Sequence, residues 1–514
     1  MTTFTVRNPA TLEVITTYEA TPLGAIAGLV QRGDAAGIAW QALTYRERGA
    51  ILLRARQYLL QHLDQIADVI TAENGKPRLE ALTAELYPMA DLLYYFAHHT
   101  GAHLRPHRIP IGLMTWLRRT SILHYQPHGV VAVIAPWNYP FSIPAGAIAM
   151  ALVTGNTVVF KPSEYALHTA QQIMAMFRAA GLPAEVLQLV IGDGTAGAAL
   201  VEAAVDKVFF TGSVATGQRI MATCATRPIP CTLELGGKDA MIVRADADLD
   251  LASSGAVWGA FTNAGQCCAS VERCYVDARI AGPFIDQVVA KTRQLRQGPG
   301  TDPTVEVGPL TTATQLATVE RHVAEAVARG ATLRCGGTRN ADFAGTFYRP
   351  TVLTDVTHAD RIMREETFGP VLPIMVVGSD HEAITMANDS PYGLTASIWT
   401  RDRRAAERMA AQLAVGTVTI NECLYTHAIC QTPWGGRKQS GLGRTHGAIG
   451  LSDMVVPQHR HTNCGPPHKD LWWYPYDRSV YDLFVQMAHR VTGPWWQRLP
   501  ALPRLLRSRR MKKW

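Results

Sequence analysis

Nine cysteines in 514 residues form no CxxC pair, and their odd number cannot close into a full set of bridges. That pattern argues against a disulfide framework or a zinc ribbon, so a reducing, cytoplasmic setting without a bound metal is expected. Long hydrophobic runs are missing too: no window gives the roughly 18 uninterrupted apolar residues of a membrane span. The opening MTTFTVRNPATLEVITTYEA has no basic stretch followed by an apolar core, so a secretion signal is not expected. Excess charge is scarce outside one place. The net charge is +7, and Arg498, Arg504, Arg507, Arg509, Arg510, Lys512 and Lys513 account for all of it, with no acid among residues 498–514. A neutral body with a basic end does not read as a groove for nucleic acid. Internal repeats and low-complexity blocks are lacking as well.

What is there is globular in character, with 47% hydrophobic and 18% charged residues. The length exceeds what one ordinary core organises, so two or three domains are expected. From Pro22 to His99 the pattern is helical, broken at NGKP (Asn74 to Pro77). His103 to Gly129, with prolines and basic residues among its apolar ones, reads as an extended hairpin. From Gly129 the grain changes. GVVAVIAPWNYP, NTVVFKPSE, EVLQLVIGDGTAG and DKVFFTGS are short Val/Ile/Phe runs that end in glycine or proline turns and lead into helices. Such parallel βα units place a ligand at the carboxyl ends of their strands. A second set of strands, from CYVDARIAG through FYRPTVLTDV, FGPVLPIMVVGS and GLTASIWT to GTVTIN, implies a second α/β lobe.

Two short segments carry the chemistry. FTNAGQCCAS (Phe261 to Ser270) presents Cys267 and Cys268, and LELGGK (Leu233 to Lys238) presents Glu234. A thiolate can attack a carbonyl, and a carboxylate in a partly apolar site can take a proton from water, so the pair suffices to make and hydrolyse a thioester. Alone, a Cys and a Glu read equally as small buried residues and a turn cap. Gly192, Gly194 and Gly197 of GDGTAG satisfy a dinucleotide fingerprint in part, since the next strand, KVFFTGS, ends in Gly212 and Ser213 rather than in a ribose-binding acid. FTGS opens a second helix whose amides, with the Ser213 hydroxyl, suit a pyrophosphate. The missing acid is then Glu164, in KPSE with Lys161 and Ser163; the plainer alternative is that KPSE merely starts a helix.

Taken in order, PWNYPF, GNTVVFKPSE, FTGS, LELGGK, FTNAGQCCAS, EETFGPV and PWGGRKQSGLGR make the chain resemble the aldehyde dehydrogenase superfamily from about residue 5 to 458. The resemblance implies an α/β fold: a modified Rossmann cofactor domain (1–104 and 125–235), a second α/β catalytic domain (236–443) and a β bridging element (105–124 and 444–470) that mediates homodimers or homotetramers. Residues 471–514 then form a basic, Trp-rich extension. The resemblance further implies NAD-dependent oxidation of an aldehyde to its acid, with NADP as an alternative. Cys268 matches the nucleophile, Glu234 the general base and Asn138 the amide that helps hold the oxyanion. Lys161, Ser163 and Glu164 match the adenine-ribose site, while Gly194, Gly212 and Ser213 fall at the phosphates. Trp137, Glu366 and Phe368 match the nicotinamide end, and Tyr139, Cys267 and Trp434 the substrate pocket.

Glu234 favours hydrolysis over acyl transfer to coenzyme A, and Glu164 favours NAD, because a carboxylate binds a free 2′-hydroxyl and repels a 2′-phosphate. Ala147 and Thr445 stand where many relatives carry a lysine and a glutamate linked to a proton path, so that path is not expected here. Asp239, after GGK, has no evident role. The entrance loop Glu422 to Thr432 holds aromatics and His427 but no arginine, which favours aliphatic or aromatic aldehydes over semialdehydes that carry a carboxylate, with Arg437 nearby keeping the latter open. In the tail, Val480, Leu483, Phe484, Met487 and Val491 recur at helical spacing, followed by Trp495, Trp496 and the basic end. Such a segment lies on an anionic lipid surface as a peripheral contact or packs over a partner subunit.

Overall fold

The computed structural model describes residues 2–466 and 469–491. It divides into two units, Met1–Arg105 with Tyr125–Val456, and Pro106–His124 with Pro457–Trp514. The first unit holds two large sheets. One has six strands in the order Gly441–Leu442, Cys231–Glu234, Lys207–Thr211, Val130–Ile134, Thr157–Lys161, Leu187–Leu189. All are parallel but the first, which pairs antiparallel as Gly441 to Glu234 and Leu442 to Leu233. The four βα strands read from the sequence are all here, in one sheet, with their glycine and proline turns at the carboxyl ends.

The other sheet has seven strands, Thr332–Cys335, Thr351–Thr354, Val371–Val377, Val271–Asp277, Asp239–Val243, Thr395–Trp399 and Thr417–Ile420, parallel except for the first. Asp239–Val243, an interior strand beside the central Val271–Asp277, and the edge strand Thr332–Cys335 were not anticipated. Asp239 now has a role: its carboxylate accepts from the Thr395 amide (3.0 Å) and hydroxyl (2.7 Å), joining the starts of two neighbouring strands.

Fully buried strands such as Val130–Ile134 read as unbroken apolar runs because helices cover both faces of a parallel sheet. Helix Ser142–Val153 is apolar all round and has eleven of its twelve residues buried, as a helix inside a core must be. Tyr45–Gln61 starts with a reciprocal Thr44/Glu47 capping box. Leu63–Asn74 stops where Gly75 turns left-handed (φ 94°), which is the physical content of the NGKP break. The next residue, Lys76, is thereby turned into the interior.

The segment 103–129 departs from a plain hairpin. Strand His107–Arg108 pairs antiparallel with Arg119–Pro127, but a short helix, Leu113–Trp116, intervenes after Gly112 at φ 55°. The second unit also contains the helix Arg478–Val491, as its apolar spacing predicts. Trp495, Trp496 and the basic run 498–514 lie outside the described residues. Among the described residues no helix is long and apolar enough to cross a membrane.

Candidate active site

Glu234 ends its strand, and Cys268 follows the helix Leu249–Phe261 and a tight turn. They meet at one cavity of about 30 Å³, lined also by Ile143, Ala147, Thr211, Trp434, Thr445 and the histidines 427 and 446. The Glu234 carboxyl is buried, and its Oε1 has no hydrogen-bond partner. Burial pushes its pKa well above the usual carboxylate range, against the opposing pull of the Arg444 guanidinium and the Trp434 side chain. A carboxyl so placed gives up its proton less readily than a solvated one, which suits a group that must take a proton from water.

The turn that carries Cys268 is fixed by side-chain amides. Asn263 and Ala264 both adopt left-handed backbone (φ 51° and 53°). Asn263 Nδ2 donates to the carbonyls of Asn138 (2.9 Å) and Gln266 (3.1 Å), Gln266 Nε2 donates to the Asn263 carbonyl (3.0 Å), and Gln266 Oε1 accepts from the Thr311 amide (2.8 Å). Asn138 Nδ2 donates to the Gln266 carbonyl at 3.1 Å, which brings the PWNYPF loop against the cysteine turn. Gly237 lets the two motifs touch: a Cβ there would fall 2.3 Å from the Cys268 carbonyl oxygen.

Beneath this loop lies an ion pair that the sequence did not reveal. Lys76 Nζ donates to Glu85 (2.7 Å) and to the Asn138 carbonyl (2.9 Å), and stands 4.0 Å from the centre of the Tyr139 ring. Glu85 Oε2 accepts from the amides of Phe141 (2.7 Å) and Ser142 (3.1 Å) where the helix Ser142–Val153 begins. Both charges are essentially inaccessible.

Cys267 packs with Tyr139, Ala269, Leu394 and Trp434, and Cys268 lies against this cluster. Of the two thiols, Cys267 is held below its ordinary value, chiefly by the hydrogen bond from Cys268 and then by the Ala269 amide and the Tyr139 hydroxyl. Cys268 is pushed up by that same bond, by burial, and by the carboxylates of Asp239 and Glu366. Of the coupled pair, Cys267 gives up its proton more readily than Cys268. Cys268 alone of the two lines the cavity with Glu234.

A second group of residues gathers at the carboxyl ends of the six-stranded sheet. Lys161 Nζ is 3.8 Å from Glu164, and the Ser163 hydroxyl donates to Glu164 at 3.3 Å. Burial lowers the Lys161 pKa, opposed by Glu164 and Asp193. Ser213 caps the twelve-residue helix Val214–Ala225, its Oγ accepting from the Thr216 amide. Gly194 opens the helix Gly194–Glu202, whose first free amide is already taken by Asp193 (2.9 Å from Thr195 N).

On the far side, Glu366 accepts from the Gly237 amide at 2.9 Å and is pushed up to about 8, first by burial and then by Glu272. Phe368 meets Trp137 edge-to-face at 5.6 Å. Glu272, unnoticed in the sequence, holds this loop: it accepts from the amides of Thr367 (2.7 Å) and Phe368 (2.8 Å) and pairs with Lys238 (2.6 Å). A carboxylate beside a lysine suits a ribose diol, a capped helix N-terminus suits a phosphate, and an aromatic pair suits a flat ring. The donor set fits a nicotinamide dinucleotide.

Comparison with known proteins agrees. The profile of the aldehyde dehydrogenase family matches residues 1–459. The chain is 42% identical over 458 residues to a 4,4′-diapolycopene aldehyde oxidase from Methylomonas, covering 89% of this chain and 85% of that one. It is 37% identical to a betaine aldehyde dehydrogenase from Bacillus subtilis, covering 83% and 87%. The NAD+ complex of an aldehyde dehydrogenase from Bacillus cereus superimposes with a TM-score of 0.87 at 33% identity, over 90% of this chain and 94% of the other. With its doubly α/β fold, its thiol and carboxylate on one cavity and this match along most of its length, the protein belongs to the aldehyde dehydrogenase family of oxidoreductases.

Proposed function

We propose that this enzyme oxidises an aldehyde to its carboxylic acid, with Cys268 as nucleophile, Glu234 as general base and NAD as hydride acceptor, NADP being the alternative. The observation that carries the reading is the single cavity shared by Cys268 and Glu234, with the Glu234 Oε1 unpartnered. The Cys268 thiolate adds to the carbonyl carbon and forms a tetrahedral thiohemiacetal. Asn138, whose amide is oriented by the Gln266 carbonyl, and the Cys268 backbone amide stabilise the oxyanion. A nicotinamide held by Trp137, Glu366 and Phe368 would supply the acceptor for the hydride of the thiohemiacetal carbon. Cys268 is left as a thioester; Glu234 takes a proton from water, the water oxygen bonds to the acyl carbon, and the C–S bond breaks to return the thiolate.

Lys161, Ser163 and Glu164 hold the adenine ribose, Gly194, Gly212 and Ser213 the phosphates, and Trp137, Glu366 and Phe368 the nicotinamide end. The substrate is an aliphatic or aromatic aldehyde: Ile143, Ala147, Phe209 and Trp434 line the cavity, and no lysine or arginine is among its lining residues. Tyr139 and Cys267 back this wall. A relative named for 4,4′-diapolycopene aldehyde fits the same choice. A semialdehyde substrate is the second reading, favoured by Arg437 in the neighbouring loop and by a 39% identical relative from Mycolicibacterium smegmatis named a putative succinate-semialdehyde dehydrogenase (NADP(+)).

The test is NADH formation by purified protein with NAD across alkanals, long-chain enals, benzaldehydes and semialdehydes. Activity on the apolar members is expected; silence across the whole panel refutes the reading. Cys268→Ser is expected to abolish turnover with NAD still bound, and Glu234→Gln to leave one rapid turnover of NADH followed by a stall.

With this reading we propose the following domains: residues 1–104 and 125–235 bind cofactor, 236–443 carry the catalytic turn, and 105–124 with 444–470 join subunits into a dimer or tetramer. Sedimentation of the purified chain tests the last point. For the C-terminal extension we propose peripheral contact with anionic lipid, supported by the exposed Trp472, Trp473, Tyr474 and Tyr476 ahead of the basic end. Equal flotation on anionic liposomes of the full chain and of one ending near Gly465 would remove it.

A further inference from the structure

Two histidines that the mechanism above does not use close the cavity of Cys268 and Glu234. His427 lies on the short helix Tyr425–Ala428, and His446, at φ 63°, immediately precedes the helix Gly447–Asp453. Their rings meet edge-to-face with centroids 4.7 Å apart, and His427 meets Trp434 in the same way at 5.3 Å. His446 is buried, and its Nδ1 has no hydrogen-bond partner. Neither has Glu234 Oε1 nor the Thr211 hydroxyl, which line the same cavity. Buried polar atoms are nearly always satisfied, so three orphans around one small space point to a shared small polar guest. The cavity, at about 30 Å³, is large enough for a water molecule, which needs about 10–15 Å³ on this measure.

The guest must be a donor toward two of these groups. Ionised Glu234 only accepts, and a neutral imidazole with its proton on Nε2 accepts at Nδ1. Burial keeps both imidazoles neutral, lowering His427 to about 4 and His446 well below its ordinary value, the latter also through His427. The charged groups acting on Glu234 are Arg444, which favours ionisation, and Asp453, which opposes it. A water molecule has two O–H bonds to give and a lone pair to spare.

We propose that His446 positions the deacylating water: one O–H is directed to Glu234, the other to His446 Nδ1, and the oxygen lone pair is left facing the thioester on Cys268. His427, packed on His446 and Trp434, fixes the ring. The assignment rests on the hydrolytic reading above. In the step, the water oxygen bonds to the acyl carbon, its first proton passes to Glu234, and the C–S electrons return to the Cys268 sulfur. The second proton stays on the product acid until it leaves to solvent. His446 gains no charge, which suits a group that burial holds neutral.

The experiment measures acylation and deacylation separately, using p-nitrophenyl acetate, which loads Cys268 without any hydride step. The burst of nitrophenolate reports acylation, and the steady rate that follows reports deacylation. His446→Leu is expected to keep the burst and slow the steady rate at least tenfold. His446→Asn, whose amide oxygen sits near the place of Nδ1, is expected to recover most of that loss, and His446→Gln, whose oxygen reaches the place of Nε2, much less. Equal steady rates for the Asn and Gln variants, or a Leu variant within twofold of the parent, overturn the proposal. A Leu variant that fails to fold leaves the Asn and Gln pair to decide. Loss of the burst itself in a folded variant also overturns it, since the group would then act before the thioester. The reading on which it rests fails by a different sign, absence of NADH from the parent enzyme with every aldehyde.

Discussion

Replacing Lys76 with methionine removes a buried cation while keeping the length of the side chain. Lys76 and Glu85 have side chains with no solvent access and are 2.7 Å apart. Without Lys76, Glu85 keeps only the Phe141 and Ser142 amides, and the Asn138 carbonyl keeps only Asn263. Breaking a buried pair from one side costs about 3–5 kcal/mol, because the remaining charge is stranded. At roughly 2 °C per kcal/mol for a large domain, Tm is expected to fall by about 6–10 °C. Removing both charges, as in Lys76→Met with Glu85→Gln, strands neither, and much of the loss is expected to return. The loop that presents Asn138 loses an anchor in both variants, so kcat with the best aldehyde is expected to stay below a tenth of the parent even in the rescued protein. Calorimetry and NADH kinetics on the four proteins of the cycle supply the readings. A single variant within 2 °C of the parent, or a double variant no more stable than the single one, would refute the argument that this pair holds the loop.

Gly237→Ala would set a Cβ 2.3 Å from the Cys268 carbonyl oxygen, a backbone atom that must move; a kcat loss of at least tenfold in a folded protein is expected, and unchanged kinetics would contradict it. Glu164→Gln removes the carboxylate beside Lys161, so the ratio of kcat/KM for NADP over NAD is expected to rise by about tenfold, the scale of 1.4 kcal/mol. Glu73, buried and accepting from the amides of His168 and Thr169, has its pKa raised to about 7, chiefly by burial. The folded state thus holds its proton more tightly than the unfolded one, so this contribution is full below pH 4.5 and is lost as pH rises through 7, by roughly 3 kcal/mol. Denaturant titrations at several pH values should show that decline, and Glu73→Gln should flatten it.

The parts of this enzyme that are local in the chain were legible before any coordinates. Val130–Ile134 and Thr157–Lys161 are short runs rich in Val and other strand formers, closed by Pro136 and Pro162, and that pattern has few other readings. Glu234 and Cys268 sat in recognisable segments. What stayed hidden is what depends on distant partners: Lys76 reaches Asn138 across 62 positions, and Glu272 reaches Thr367 across 95. A lysine or a glutamate in a sequence looks like surface until its partner is known. Ala264 at φ 53° is equally silent, since nothing about an alanine announces a left-handed turn. Asp193 is a cap that the glycine pattern does not announce, its carboxylate accepting from the Thr195 amide.

Asn138 divides two duties between its own atoms. Its main-chain carbonyl receives Lys76 and Asn263, while its side-chain amide faces the cysteine turn. Any residue that keeps the backbone there keeps the bonds from Lys76 and Asn263 and loses only the side-chain bond to the Gln266 carbonyl. Position 138 is therefore one where the reactivity of the site can drift or be redesigned without the scaffold coming apart, whereas position 76 is not.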